Sequence, residues 1–100
     1  MMRCTRCGNE IPESSSVASI SGSLLGDECT ECYFLCAKCG FYTVGIYWDC
    51  FAGEESASTR GPVAPEEAMK KIELMRQCAT PWDKKCRCKA HCHYFDGMLD

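Results

Sequence analysis

The chain has 100 residues, 11 of them cysteine, and a formal net charge of −3. So many cysteines in so short a chain predict either disulfide bonds or metal sites, and the redox compartment decides between them. The N-terminal sequence MMRCTRCGNE has no apolar stretch and no small-residue cleavage site, and no apolar run approaches the roughly 20 residues that cross a bilayer. We therefore expect a cytoplasmic protein with reduced thiols. The odd number of cysteines also favours metal over disulfides.

The first predicted element is a metal-binding turn, or knuckle, with the sequence CTRCG at residues 4–8. Two residues between Cys4 and Cys7 allow one tight turn to aim both sulfurs at a single ion. Gly8 can take the left-handed backbone angle, which leaves amides free to donate to those sulfurs. The Ser- and Gly-rich stretch 13–26 follows, and its composition predicts a packed loop with one weak strand.

Cysteine pairs recur in the next segment, as Cys29/Cys32 and as a second knuckle, CAKCG, at residues 36–40. A strand is predicted to enter this knuckle at 33–36. A second strand leaves it at 41–48, because almost all of those residues are β-branched or aromatic. The stretch from 53 to 65, rich in Gly, Ser and Pro, is the clearest boundary in the chain. The predicted division is a metal-binding β-unit at 1–53, a connector at 54–65, and a helix with a cysteine-rich tail at 66–100.

The helix is predicted at 66–79. Pro65 suits its first turn, and Glu66 and Glu67 suit the positive end of its dipole. One side of the helix carries an apolar stripe that should pack against the β-unit or a partner: Ala68, Met69, Ile72, Met75 and Ala79. Pro81 ends the helix.

The tail predicts a second metal site. Its four thiolates would close one tetrahedral or cubane site: Cys78, Cys86, Cys88 and Cys92. His91 and His93 could replace one thiolate, but they are less favoured because sequence neighbours seldom all point one way. The region 70–93 is also basic, since it holds Lys70, Lys71, Arg76, Lys84, Lys85, Arg87 and Lys89 against Glu73 and Asp83. This charge predicts a solvated face, compensation of the thiolates, or a docking surface for an acidic partner.

Three groupings of the remaining cysteine pairs are open. The favoured one joins the two knuckles through Cys4, Cys7, Cys36 and Cys39. In spacing and knuckle chemistry it resembles rubredoxin and the zinc ribbons over residues 1–50, although Ala37 replaces the usual proline of the second knuckle. The second joins the first knuckle to Cys29/Cys32, and the third treats residues 29–39 as a ferredoxin-like cluster run. A third site that uses Cys29, Cys32, Cys50 and a histidine is less favoured.

These patterns predict a small α+β metal-stapled domain, meaning a domain whose small core is held together by bound metal: a rubredoxin/zinc-ribbon β-unit, one helix and a cysteine-rich tail. The sequence contains none of the catalytic motifs of the common hydrolases or nucleotide-binding enzymes, so we expect a non-catalytic protein. The metal is Zn²⁺ or iron, as Fe(Cys)₄ or a 4Fe–4S cluster, because four thiolates satisfy each.

The expected role is that of an accessory or regulatory subunit of a larger enzyme complex. In size and cysteine density the chain loosely resembles the small cysteine-rich subunits of glycyl-radical enzymes, and that resemblance implies an anaerobic enzyme as partner. The alternatives are an iron or iron–sulfur electron-transfer protein and a zinc ribbon that binds nucleic acid through residues 84–93. The acidic isoelectric point of about 5.3 disfavours the nucleic-acid alternative.

Overall fold

The computed structural model describes residues 2–24, 26–50, 53 and 55–99. In chain order these residues form β1 (Met2–Arg3), β2 (Glu10–Ile11), a 3₁₀ turn (Glu13–Ser15), β3 (Ser16–Leu24), β4 (Asp27–Leu35), β5 (Tyr42–Asp49), β6 (Glu55–Val63), α1 (Pro65–Gln77) and α2 (Lys89–Tyr94). The predicted α+β class is confirmed. No helix in the described ranges is long and apolar enough to cross a membrane.

The central element is an antiparallel sheet in which each strand pairs with the next along the chain, in the order β3-β4-β5-β6. The second knuckle connects β4 to β5, as its flanking apolar residues predict. The first knuckle connects β1 to β2, which form a separate two-stranded pair. Both knuckles therefore arise from tight turns between antiparallel strands.

Two stretches contain longer strands than expected, since 13–26 was predicted as a packed loop with one weak strand and 54–65 as a connector. Residues 13–26 hold the nine-residue strand β3, in which the buried Ile20 alternates with serines that point to the other face. Residues 54–65, expected as a connector, hold the nine-residue strand β6. Almost all of β6 is exposed at a sheet edge, so it needs no large apolar residues, and its pairing with β5 holds it in place.

One face of the sheet packs against both helices. The buried cluster there contains Ile20, Tyr33, Tyr42, Val44, Ala68, Ile72, Met75, Tyr94 and Phe95. Helix α1 begins and ends within two residues of its predicted bounds. Ile72 and Met75 pack into the cluster as expected. Met69 is 43% exposed, and its sulfur accepts a hydrogen bond from the Tyr42 hydroxyl at 3.8 Å.

The opposite face of the sheet carries the first knuckle. The second buried cluster lies there and contains Met2, Cys4, Ile11, Phe34 and Cys36. The buried Thr43 hydroxyl accepts a hydrogen bond from the Thr5 amide at 3.0 Å and lies 3.0 Å from the Thr5 hydroxyl. A Cβ at Gly45 would come within 2.9 Å of the Met2 Cε, so the absence of a side chain lets the N-terminus lie close to β5.

The C-terminal segment covers part of the outer edge of β3. The Ser21 amide donates to the Pro81 carbonyl at 2.8 Å. Helix α2, which the sequence did not predict, follows and brings Phe95 against Gly22, where a Cβ would lie 2.7 Å from the ring. The tail is thus packed on the same sheet as the first knuckle.

Candidate metal centres

The first centre joins the two knuckles. The ligand atoms of Cys4, Cys7, Cys36 and Cys39 all lie within 4.8 Å of one another. The sulfurs of Cys4 and Cys39 are 3.6 Å apart, as are those of Cys7 and Cys36. Four sulfurs at about 2.3 Å from one tetrahedral ion would be about 3.8 Å apart. The group therefore has the dimensions of a single-ion site, and it is the grouping that the knuckle chemistry favours.

The two knuckles have the same backbone design. The Gly8 amide donates to the Cys4 carbonyl at 3.0 Å, and the Gly40 amide donates to the Cys36 carbonyl at 2.8 Å. Both glycines have positive φ, 77° and 79° respectively, so they take the left-handed conformation that the sequence predicts. This turn leaves the Arg6 amide free to donate to the Cys4 sulfur at 3.4 Å.

Amide donors decide which thiol of the first centre ionises most easily. Burial raises the pKa of Cys4, but hydrogen bonds from the Cys7 and Arg6 amides outweigh burial and lower that pKa to about 6. Amide donors also lower the pKa of Cys36. For Cys7 the Asn9 amide acts in the same direction, yet burial and the neighbouring thiols Cys36, Cys4 and Cys39 raise the pKa to about 11. Four neighbouring thiols resist ionising together, because the resulting negative charges repel one another. A bound divalent metal ion would offset that repulsion.

The second centre joins the end of α1 to the start of α2. Its ligand atoms come from Cys78, Cys86, Cys88 and His91, and they too lie within 4.8 Å of one another. Cys78 Sγ lies 3.7 Å from Cys86 Sγ and 3.4 Å from His91 Nδ1. Cys88 occupies the N-cap of α2, where its sulfur accepts from the His91 amide at 3.3 Å. A set of three cysteines and one histidine is typical of structural zinc sites.

His91 is held in one orientation by the sheet. Its ring is fully buried, and its Nε2 lies 2.6 Å from the Ser21 carbonyl oxygen. A carbonyl only accepts, so Nε2 carries the proton and Nδ1 presents its lone pair to the three sulfurs. Metal-binding histidines are commonly fixed by this kind of second hydrogen bond. The edge of β3 therefore positions a metal ligand that lies 70 residues away in the sequence.

The thiols of the second centre are also unequal. The Cys88 amide and the Thr80 hydroxyl lower the pKa of Cys86 to about 6, although burial opposes them. Burial raises the pKa of Cys78 to about 11, and the neighbouring thiols Cys88 and Cys86 add to the rise. The Cys86 thiol therefore ionises more readily than the Cys78 thiol, which would lose its proton as a metal ion binds.

The structure places two residues of the tail differently from the grouping that the sequence favours. Cys92, expected as the fourth ligand, lies outside the group and directs its sulfur to the Arg87 carbonyl at 3.5 Å. His91, a less favoured ligand in the sequence, takes its place. Neighbouring residues on a helix point about 100° apart around its axis, so His91 and Cys92 cannot face the same way. The contact of His91 Nε2 with the Ser21 carbonyl holds the His91 ring beside the sulfurs. His93 is exposed and joins neither group.

Among the residues that the structure describes, the remaining cysteines do not form a third centre. Cys29 and Cys32 lie in strand β4, three residues apart, so their side chains point to opposite faces of the sheet. Cys29 is buried, and Cys32 packs beside the first knuckle. Cys50 follows β5 and belongs to neither metal group of the described residues. The structure therefore brings together neither of the alternative groupings that used Cys29/Cys32.

No protein-family model, curated protein or solved structure matches this chain. The functional assignment therefore depends on the two centres themselves. Two groups of cysteine and histidine side chains can each hold one metal ion, and each offers four ligands.

Proposed function

We propose that this chain is a non-catalytic zinc protein that serves as a small accessory or regulatory subunit of a larger enzyme. The observation that supports this most is the complete ligand set of the second centre. Three sulfurs and one imidazole nitrogen fill the four positions that zinc uses in structural sites. Catalytic zinc sites keep a position open for water or substrate, and this group of ligands leaves none.

Zinc is favoured over iron for the second centre because of His91. Imidazole together with thiolates is a common zinc ligand set, whereas single-iron and cubane sites of the kind expected from the sequence use thiolates alone. The first centre has four sulfurs and accepts either metal. In this proposal both ions are structural, since the first joins the two knuckles and the second joins the end of α1 to the start of α2.

Electron transfer is the second candidate function, and one observation at the first centre favours it. Cys7 is exposed, while Cys4 accepts a hydrogen bond from the Arg6 amide. An exposed ligand gives an electron a short path to a partner, and amide–sulfur hydrogen bonds adjust the potential of iron–sulfur centres. An iron ion in the first centre would therefore make the chain an electron carrier with a zinc-bound tail.

Metal analysis distinguishes the two functions. We expect protein purified without oxygen to be colourless and to contain two equivalents of zinc. Replacement by cobalt should give the intense visible absorption of two tetrahedral thiolate sites. Red or brown protein with iron in the first centre would contradict the structural role and support electron transfer.

The partner surface that we propose is the basic part of the tail, but not all of its charges are free. Lys84 pairs with Glu28, and the Arg87 guanidinium donates to the Lys84 and Cys86 carbonyls, each at 2.9 Å. These two residues hold the second centre in place. Lys85 and Lys89 are exposed and are the better candidates for steering an acidic partner.

Co-purification from the native host tests the subunit role. We expect an untagged partner to be retained at low salt and lost at high salt, because charge steering is screened over about 8 Å at physiological ionic strength. Lys85→Glu with Lys89→Glu should weaken retention, while Lys38→Glu, at an exposed position of the second knuckle, serves as the control. A zinc-loaded monomer that retains no partner at either salt concentration would refute the subunit role.

A further inference from the structure

An apolar groove of about 350 Å³ lies beside the second metal centre. Ala18, Met75, Ala79 and Pro81 line it, between the outer edge of β3 and the end of α1. Val17 and Trp82 stand at its rim, and they are 44% and 70% exposed. Trp82 is the most exposed of the large apolar side chains in the described ranges. An exposed tryptophan next to an apolar groove is typical of a binding surface.

The groove also borders a free stretch of sheet edge. The Ser21 amide and carbonyl both point away from β4, since they bond to Pro81 and His91. Backbone direction repeats every two residues along a strand, so the Ser19 amide and carbonyl point outward as well. The bulge in β3 lies before this point, between Ser16 and Ala18, and does not change that direction. Within the described chain, Ser19 has no backbone partner on that side.

The charge at the groove is positive. Arg76 lines it, and none of the ion pairs of the described residues involves Arg76. A second copy of this chain is a poor occupant, because a two-fold interface joins the same patch of both copies and would bring two Arg76 charges into one interface. An acidic segment of another protein meets both the charge and the free edge.

We propose that this groove binds an extended, acidic segment of a partner protein, which adds to the edge of β3 as a further strand. The Ser19 amide and carbonyl would pair with the segment's backbone, as in other cases of strand addition. One apolar side chain of the segment would enter the groove against Trp82, and a neighbouring carboxylate would pair with Arg76. The proposal rests on the proposed role as a subunit and names the chemistry of its contact.

The groove depends on the second metal centre. Cys78, one of the four proposed ligands, also lines the groove. Pro81, another lining residue, accepts a hydrogen bond from the Ser21 amide, and the Ser21 carbonyl contacts the proposed ligand His91. Metal binding would therefore hold open the surface that receives the segment. This gives the second centre a role in partner recognition besides its role in stability.

The test uses the zinc-loaded full chain and a phage-displayed library of random 12-residue peptides. We expect selected peptides to combine an acidic residue with a neighbouring apolar residue and to quench the fluorescence of Trp82. Trp82→Ala and Arg76→Glu should each weaken binding of a synthetic selected peptide about tenfold or more, which corresponds to about 1.4 kcal/mol. Tyr47→Ala, an exposed aromatic residue on the opposite face of the sheet, and Lys70→Glu, elsewhere on α1, are the matched controls and should leave binding unchanged.

Hydrogen exchange tests the strand addition itself. The bound peptide should slow exchange of the Ser19 amide, and Ser19→Pro should abolish binding without loss of zinc, since proline is tolerated where an edge amide faces solvent. Failure to select any peptide, equal binding to Trp82→Ala, or an unprotected Ser19 amide would overturn the proposal. Dimerisation that depends on Trp82 would also overturn it by making a second copy the occupant. If the host partner co-purifies equally with wild type and Trp82→Ala, only the groove proposal fails, whereas a wild type that retains no partner contradicts the subunit role.

Discussion

Replacing Ile72 with alanine should strongly destabilise the protein. Ile72 is 1% exposed, and it lies in the cluster that joins α1 to the sheet. The substitution removes three carbons from the core, which costs about 2.4 kcal/mol in transfer free energy at about 0.8 kcal/mol each. The cavity left behind brings the expected loss to about 2–5 kcal/mol. Domains of this size unfold with about 5–15 kcal/mol, so the variant would lose a large share of its stability.

The measurement is urea unfolding at fixed free zinc, so that metal binding contributes equally to both proteins. A loss of about 3 kcal/mol should also lower the melting temperature by roughly 12–24 °C. Met69→Ala is the matched control, since Met69 lies on the same helical stripe but is 43% exposed, and it should cost less than about 1 kcal/mol. Equal effects of the two substitutions would refute the packing of α1 on the sheet.

Three further predictions concern particular side chains. His91→Ala should lose one equivalent of zinc, whereas Cys92→Ser should keep both equivalents, because the Cys92 sulfur points to the Arg87 carbonyl and not to the second centre. Metal analysis of the two variants tests this prediction. Thr43→Val should lower the free energy of unfolding by about 1–3 kcal/mol, because the Thr5 amide loses its acceptor. Thr43→Ser keeps a hydroxyl and should retain most of that free energy in the same urea unfolding measurement. Burial raises the pKa of Cys29 from 9.0 to about 11, with Glu31 adding to the rise. The unfolded chain therefore releases this proton at a lower pH than the folded chain does. The free energy of unfolding should then fall as the pH rises from 9 to 11, and it should fall less in Cys29→Ser.

The first centre could be predicted from the sequence because its determinants are local. Each Cys-x-x-Cys-Gly turn contains its own sulfurs, its own amide donors and the glycine that needs a positive φ. Only the pairing of the two knuckles is long-range, and their identical chemistry indicates it. Helix α1 was predictable for the same reason, since its first-turn residues and apolar spacing lie within one segment.

The second centre was only partly predictable because its geometry depends on contacts across the chain. Nothing near His91 in the sequence indicates that the Ser21 carbonyl will orient its ring, and α2 is only six residues long. The spacing from Cys88 did not choose between His91 and Cys92, since residues three and four apart both share one side of a helix. Strand β3 was predicted only as a weak strand within a loop, and β6 was missed, because edge strands can consist of small polar residues, whose composition also suits loops.

The two centres should also differ in how fast they release metal, because their ligands differ in exposure. Cys7 of the first centre is exposed, whereas Cys78 and His91 of the second are buried and Nε2 of His91 is bound to the sheet. A chelator replaces protein ligands one at a time, so an exposed sulfur gives it a starting point. We expect a colorimetric chelator to remove zinc in a fast and a slow phase of one equivalent each. Cys36→Ser should lose the fast phase and His91→Ala the slow phase. A single phase of two equivalents, or a fast phase that persists in Cys36→Ser, would contradict the assignment of the exposed site to the paired knuckles.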